Sequence, residues 1–153
     1  EPTAQRVTLD EASEIIGVDI PAPTYLPKGY AIQEIYMENS TVMLLISNKE
    51  IEKRLITQPS DDDVQQWYEF KCEMTMSIRW YSDGGVPVRL PVDKVVINED
   101  TGFLQDRGDH RTLWWNCHPD PDEPGMFELV LSANKWVSVD ELVKIAESLS
   151  VDF

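Results

Sequence analysis

Residues 136–149 read WVSVDELVKIAESL, and residues 7–30 read VTLDEASEIIGVDIPAPTYLPKGY. These two stretches bracket everything between them as one unit with a helix at each end. In the later stretch Ser138 is an N-cap, Glu141 three residues on closes a capping box, and Val137 is placed to staple onto Leu142. Leu142, Ile145, Ala146 and Leu149 then recur at i, i+3, i+4 and i+7, so this helix lays one face on a core and turns Lys144 and Glu147 away from it. The earlier stretch uses the same device. Thr8 caps, Glu11 closes its box, Leu9, Ala12, Ile15 and Ile16 form the apolar stripe, and Gly17 ends a helix over residues 9–16.

Between the helices the apolar period changes to two, and runs rich in β-branched and aromatic residues alternate with turn residues. Strands are expected near residues 31–37, 41–47, 53–58, 74–82, 92–98, 102–106, 112–117 and 126–131. Glu38-Asn39-Ser40 joins the first two, and Asp83-Gly84-Gly85 ends the strand that carries Met74, Met76, Ile78 and Trp80. Pro21, Pro23, Pro27 and Gly29 make a stiff extended connector in which Tyr25, Leu26 and Tyr30 pack while the prolines donate no hydrogen bonds. Pro59-Ser60-Asp61-Asp62-Asp63 has the composition to cap a short helix running through Gln66 or Trp67.

The expectation is therefore an α+β single domain over residues 1–153, an antiparallel, meander-like sheet with an N-terminal and a C-terminal helix packed on one face. A chain of 153 residues with 42% apolar content fits one core. Residues 1–6 read as a flexible tail. No apolar run approaches the ~20 residues that span a bilayer, and a chain beginning at Glu1 suits a mature form from which an N-terminal anchor or signal has been removed.

The residues just described, together with Val95-Val96-Ile97-Asn98, Gly102-Phe103-Leu104, Leu113-Trp114-Trp115 and Lys144-Ile145-Ala146-Glu147-Ser148-Leu149, resemble the family catalogued as domain of unknown function 4367. PTYLPKGY is the element most specific to it. Residues 59–91 and 118–125 depart from the pattern by being longer. The resemblance implies an extracytoplasmic module, at the cell surface or in a periplasm-like space, held at the membrane only through a segment outside this chain and sometimes linked to anti-sigma proteins. It brings no catalytic residue, and it implies sensing or protein interaction.

Charge and chemistry narrow the function further. Thirteen Lys+Arg against 28 Asp+Glu, a net charge of -15, repel phosphate backbones and anionic lipid, which argues against nucleic acid as a partner. No GxSxG elbow, phosphate loop, dinucleotide fingerprint, HExxH or haem-attachment motif is present. His110 and His118 stand in turn-like surroundings and read as exposed loop histidines, and an adjacent Cys117-His118 pair on a strand points to opposite faces. Asp61, Asp62, Asp63 and the group Asp120, Asp122, Glu123 match no calcium loop, and Arg107-Gly108-Asp109 is ordinary turn composition. No enzyme activity, metal or cofactor is expected.

Cys72 and Cys117 are too far apart in sequence for a metal knuckle or a redox CxxC, leaving two buried thiols or one long-range bridge. The compartment implied by the resemblance favours the bridge. On the strand near 112–117, Leu113, Trp115 and Cys117 share one face and Trp114 and Asn116 the other, so both faces carry a tryptophan. Trp114, Trp115, Trp67 and Tyr68 are the candidate interaction surface for a protein partner or for self-association, with the less buried of Trp114 and Trp115 marking it. The alternative is a carrier of a hydrophobic ligand in a curved sheet, its cavity lined by Met74, Met76, Trp80, Trp114 or Trp115. A hydrolase ranks third.

Overall fold

Among the described residues, twelve strands and two helices follow one another along the chain in a computed structural model. It describes residues 5–38, 40–48, 52–57, 66–71, 73–83, 92–98, 100–120 and 122–150, with only the backbone of 52–57, 66–71 and 150. The strands are β1 (Gln5–Arg6), β2 (Ala22–Pro23), β3 (Ala31–Glu38), β4 (Thr41–Ser47), β5 (Glu52–Thr57), β6 (Gln66–Lys71), β7 (Met74–Tyr81), β8 (Asp93–Ile97), β9 (Asp100–Asp106), β10 (His110–Cys117), β11 (Met126–Asn134) and β12 (Leu149–Ser150); the helices are α1 (Leu9–Ile16) and α2 (Val139–Glu147). The domain is α+β, built on an eight-stranded antiparallel sheet in the order β1-β3-β4-β7-β11-β10-β9-β8.

The sheet is two meanders rather than one. β3, β4 and β7 form the first, β8 to β11 run back as the second, and β7 joins them by pairing with β11 from Met126↔Tyr81 to Ala133↔Met74. That seam puts the two longest alternating apolar rows side by side, Met74, Met76 and Ile78 beside Leu129, Leu131 and Ala133. All six are at most 4% exposed. Burial of such side chains at the centre of the sheet is the main source of stability, roughly 1.5–3 kcal/mol each.

Both helices cap this face. Ala12 of α1 and Leu142, Ile145 and Ala146 of α2 join one buried cluster with Val42, Leu44, Ile46, Leu113, Trp115 and Phe127. The expected caps form at α1: the Glu11 amide donates to Thr8 Oγ1 at 3.1 Å, the Thr8 amide donates to Glu11 Oε1 at 2.9 Å, and Gly17 closes the helix at φ 92°. Only glycine adopts that left-handed angle without strain. Ile15 is 62% exposed, although its spacing placed it on the stripe. At 100° per residue it lies at the margin of the arc set by Leu9, Ala12 and Ile16, and the helix is too short to bury so wide a face.

At α2 the Glu141 amide donates to Ser138 Oγ at 3.2 Å, and the apolar staple has Val137 and Leu142 both in the core. The Glu141 carboxylate does not close its box. It accepts instead from the Tyr25 hydroxyl at 2.5 Å, which raises the tyrosine pKa chiefly through that hydrogen bond. Tyr25 also lies beneath Lys144 Nζ, 5.5 Å from the ring centroid. Ser148 completes the clasp: its Oγ accepts from the Thr24 and Tyr25 amides at 3.1 and 3.0 Å, and Thr24 Oγ1 donates to its carbonyl at 2.8 Å. β2 and β12 then pair as a separate two-stranded sheet, so the proline-rich connector is fastened to the far end of the chain. Leu149 packs on the core from β12 rather than from the helix.

Two further expectations change. Gln5–Arg6, placed in the tail, pairs with Met37 and Tyr36 of β3 and so extends the sheet. Gln66–Lys71 is a strand, not a helix: it pairs with β5 from Thr57↔Gln66 to Glu52↔Lys71. Trp67, Tyr68 and Phe70 are β-favouring aromatics, and opposite them stand Ile56, Leu55 and Lys53. The proposed capping residues 59–63 lie outside the described residues.

Candidate functional site

The register divides the sheet into two unlike faces. Away from the helices one row runs Lys94, Phe103, Trp114, Val130, Ser77, Met43 and Tyr36, and the next runs Gln105, Thr112, Ser132, Thr75, Leu45 and Glu34. Tyr36, Leu45, Phe103 and Met126 on this face are buried yet stand outside the helix-side cluster. Met43 is 38% exposed. The Tyr36 hydroxyl donates to Glu34 Oε1 at 2.5 Å, and burial first, then that bond, push its pKa up to about 12.

Trp114 and Trp115 fall on opposite faces. Trp115 is 2% exposed in the helix-side core, opposite Leu129, so it presents no surface and leaves the set of interaction residues. Trp114 is half-buried on the open face, between Phe103 and Val130. Trp67 and Tyr68 lie in β6, opposite Ile56 and Leu55. Met74 and Met76 are core residues, and Trp80 packs on Phe127 with ring centroids 4.7 Å apart. Gly125 lies against the Trp80 ring so closely that a Cβ there would meet it at 2.1 Å. Trp114 therefore faces away from the other residues named for a common cavity.

Cys117 is a free thiol. Cys72, the other half of the expected bridge, lies outside the described residues. Cys117 sits opposite Phe127, which sits opposite Trp80, whereas Met74 sits opposite Ala133 at the other end of β7, about 20 Å along the strand. Burial, then the charge of Asp100, raise the Cys117 pKa and keep it a protonated thiol. Titration in denaturant without reductant is expected to find two thiols per chain, and finding none would contradict a free Cys117.

His110 and His118 are both exposed and stand at opposite ends of β10, so they do not converge. Cys117 turns toward the helix side while His118 lies in the following loop. Asp120 is used locally, its Oδ1 accepting from the Asp122 amide at 3.0 Å and its carbonyl from that of Glu123 at 3.1 Å. Among the described residues no group of three His, Cys, Asp or Glu could hold a metal ion.

One residue that the strand pattern did not single out is the most exposed large apolar side chain described. Trp136 is 78% exposed, in the turn between β11 and α2. Its backbone is nevertheless fixed. The Trp136 amide donates to Asn134 Oδ1 at 3.0 Å, the Val137 amide to the Asn134 carbonyl at 3.2 Å, and the Lys135 amide to the Asp109 carbonyl at 3.0 Å. Arg111 Nη1 donates to the carbonyls of Lys135 and Val137 at 3.1 and 2.8 Å, while its Nε donates to Asp106 Oδ2 at 3.0 Å.

The β9–β10 turn thus buttresses the Trp136 turn. It carries Arg107-Gly108-Asp109, with Gly108 at φ 87° and its amide donating to Asp106 Oδ1 at 2.9 Å. That bond, and then Arg111, hold Asp106 below the usual carboxylate range; a 2.8 Å contact with His110 Nδ1 lowers Asp109 likewise. Lys135 Nζ lies 5.0 Å from the Trp136 ring centroid. The available signal was an aromatic that neither the capping box nor the staple of the next helix uses.

No family model, curated protein or solved structure matches this chain.

Proposed function

We propose that this chain is a non-catalytic extracytoplasmic domain that senses or recruits by protein contact, and that the Trp136 turn makes the contact. The observation that supports it is an exposed tryptophan on an immobilised backbone. An aromatic side chain has few rotatable bonds, and a turn already pinned by hydrogen bonds leaves little backbone entropy to lose on binding. Tryptophan in such a place has the character of an interface anchor. Lys135 beside the ring adds a cation to a molecule whose net charge is -15, which suits a partner with carboxylates around an apolar pocket. Attachment to a membrane, in this reading, is made by a segment outside the chain.

A second reading has one observation in its favour. Tyr36, Leu45, Phe103 and Met126 are buried on the open sheet face beside a half-buried Trp114, and such a face also suits an apolar ligand. The two readings separate experimentally. A photo-crosslinking residue at Lys135 in producing cells is expected to give a discrete protein adduct that Trp136→Ala reduces about 30-fold or more, the loss of an anchor worth ~2 kcal/mol. The same residue at Glu123 serves as control. An adduct indifferent to Trp136→Ala, or equal at both positions, would reject the Trp136 contact.

A further inference from the structure

The two edges of the sheet are finished differently. β1 covers part of β3 at one edge, whereas β8 at the other has no strand on its outer side among the described residues. β8 is a five-residue strand, DKVVI, and Val96 in it is 69% exposed. Ile97 pairs with Asp100 across a two-residue connection that begins with Asn98 at φ 56°. In such a hairpin the closing pair is hydrogen-bonded and the pattern alternates from there. The backbone groups of Ile97, Val95 and Asp93 therefore point to β9, and those of Lys94 and Val96 point outward. Neither Lys94 nor Val96 has a hydrogen-bond partner among the described residues.

We propose that β8 pairs antiparallel with β8 of a second copy of this chain, about a two-fold axis at Val95. The outward residues, Lys94 and Val96, are spaced symmetrically about Val95, as a two-fold interface requires. Pairing there sets Lys94 opposite Val96 of the other copy and Val96 opposite its Lys94, so every outward N–H and C=O of these residues is satisfied at once. Lys94 and Val96 also share the open face, where the aliphatic stem of one covers the exposed valine of the other. An isolated lysine on a short strand protects an edge against foreign strands. Facing a valine across a two-fold axis, it contributes packing instead.

The short ladder and the charge of -15 on each copy make this a weak, salt-strengthened dimer, because salt screens the repulsion between copies. Sedimentation velocity on the full chain from micromolar to millimolar concentration is expected to show a monomer–dimer equilibrium that tightens with added salt. Val96→Pro removes an outward N–H and no bond to β9, and should weaken the dimer about tenfold or more with the fold unchanged by circular dichroism. Val95→Cys should give a disulfide-linked dimer on mild oxidation, whereas Val96→Cys, out of register with itself, should not. Trp136→Ala should leave the equilibrium untouched, so that failure of the Trp136 reading and failure of this one are distinguishable. A monomer at every concentration and salt, or equal crosslinking at both cysteine positions, overturns the proposal; so does a monomer that pairs only with a foreign peptide strand.

Discussion

Replacing Trp115 with Ala is expected to lower stability by ~3–5 kcal/mol, while Trp114→Ala, one residue earlier on the same strand, costs far less. Trp115 is 2% exposed and packs in the cluster that also holds buried residues of both helices, so truncation leaves a cavity in that core. Trp114 is half-buried on the other face, where solvent can enter the vacated space. Against a typical domain stability of 5–15 kcal/mol the first loss is a large fraction of the whole. Urea denaturation midpoints of the two variants decide the matter. Equal shifts would mean that the faces are not as the register places them.

Leu142→Ala and Ile145→Ala are each expected to cost ~2–5 kcal/mol, because both side chains are fully buried where α2 rests on β8 and β11. Changes on the exposed side of the helix should be small, within ~0.5 kcal/mol. Glu147→Gln is the sharpest control, since Glu147 Oε2 accepts from the Asn98 amide at 3.1 Å in an exposed position. Thermal or urea unfolding monitored by tryptophan fluorescence reads all three. Small and equal effects would mean that the helix contributes little to the core.

Local rules accounted for most of what could be read ahead of the structure. Thr8 with Glu11, Ser138 with Val137, and Gly17 act on neighbours within a few residues, and they bond or pack as their spacing implies. Alternation likewise placed Trp114 and Trp115 on opposite faces, because strand geometry leaves no other choice. What escaped depends on distant partners. Glu141 leaves its box for Tyr25, 116 residues away, and no local pattern ranks those two acceptor uses. Gln66–Lys71 carries an acidic run and one proline, Pro59, before it that suit a helix start, yet pairing with β5 makes it a strand. Cysteine count likewise could not show that Cys117 is a free thiol packed against the helix-side core. For the candidate site, periodicity marks residues that repeat, and Trp136 is a single residue in a turn.

The clasp at Ser148 also fixes an order of events in time. Thr24 and Tyr25 bond to a residue that follows them by 124 and 123 positions, and β2 pairs with the strand just after it. During synthesis at ~5–20 residues per second the connector is made roughly 6–25 seconds before its partner exists. Until then Tyr25 and Leu26 have no α2 to rest against, and the helix-side face of the sheet lacks half its cover. The closing of the domain is thus a late event, gated by residues that emerge more than 120 positions after the connector, and a chaperone that shields apolar sheet has a defined interval in which to act.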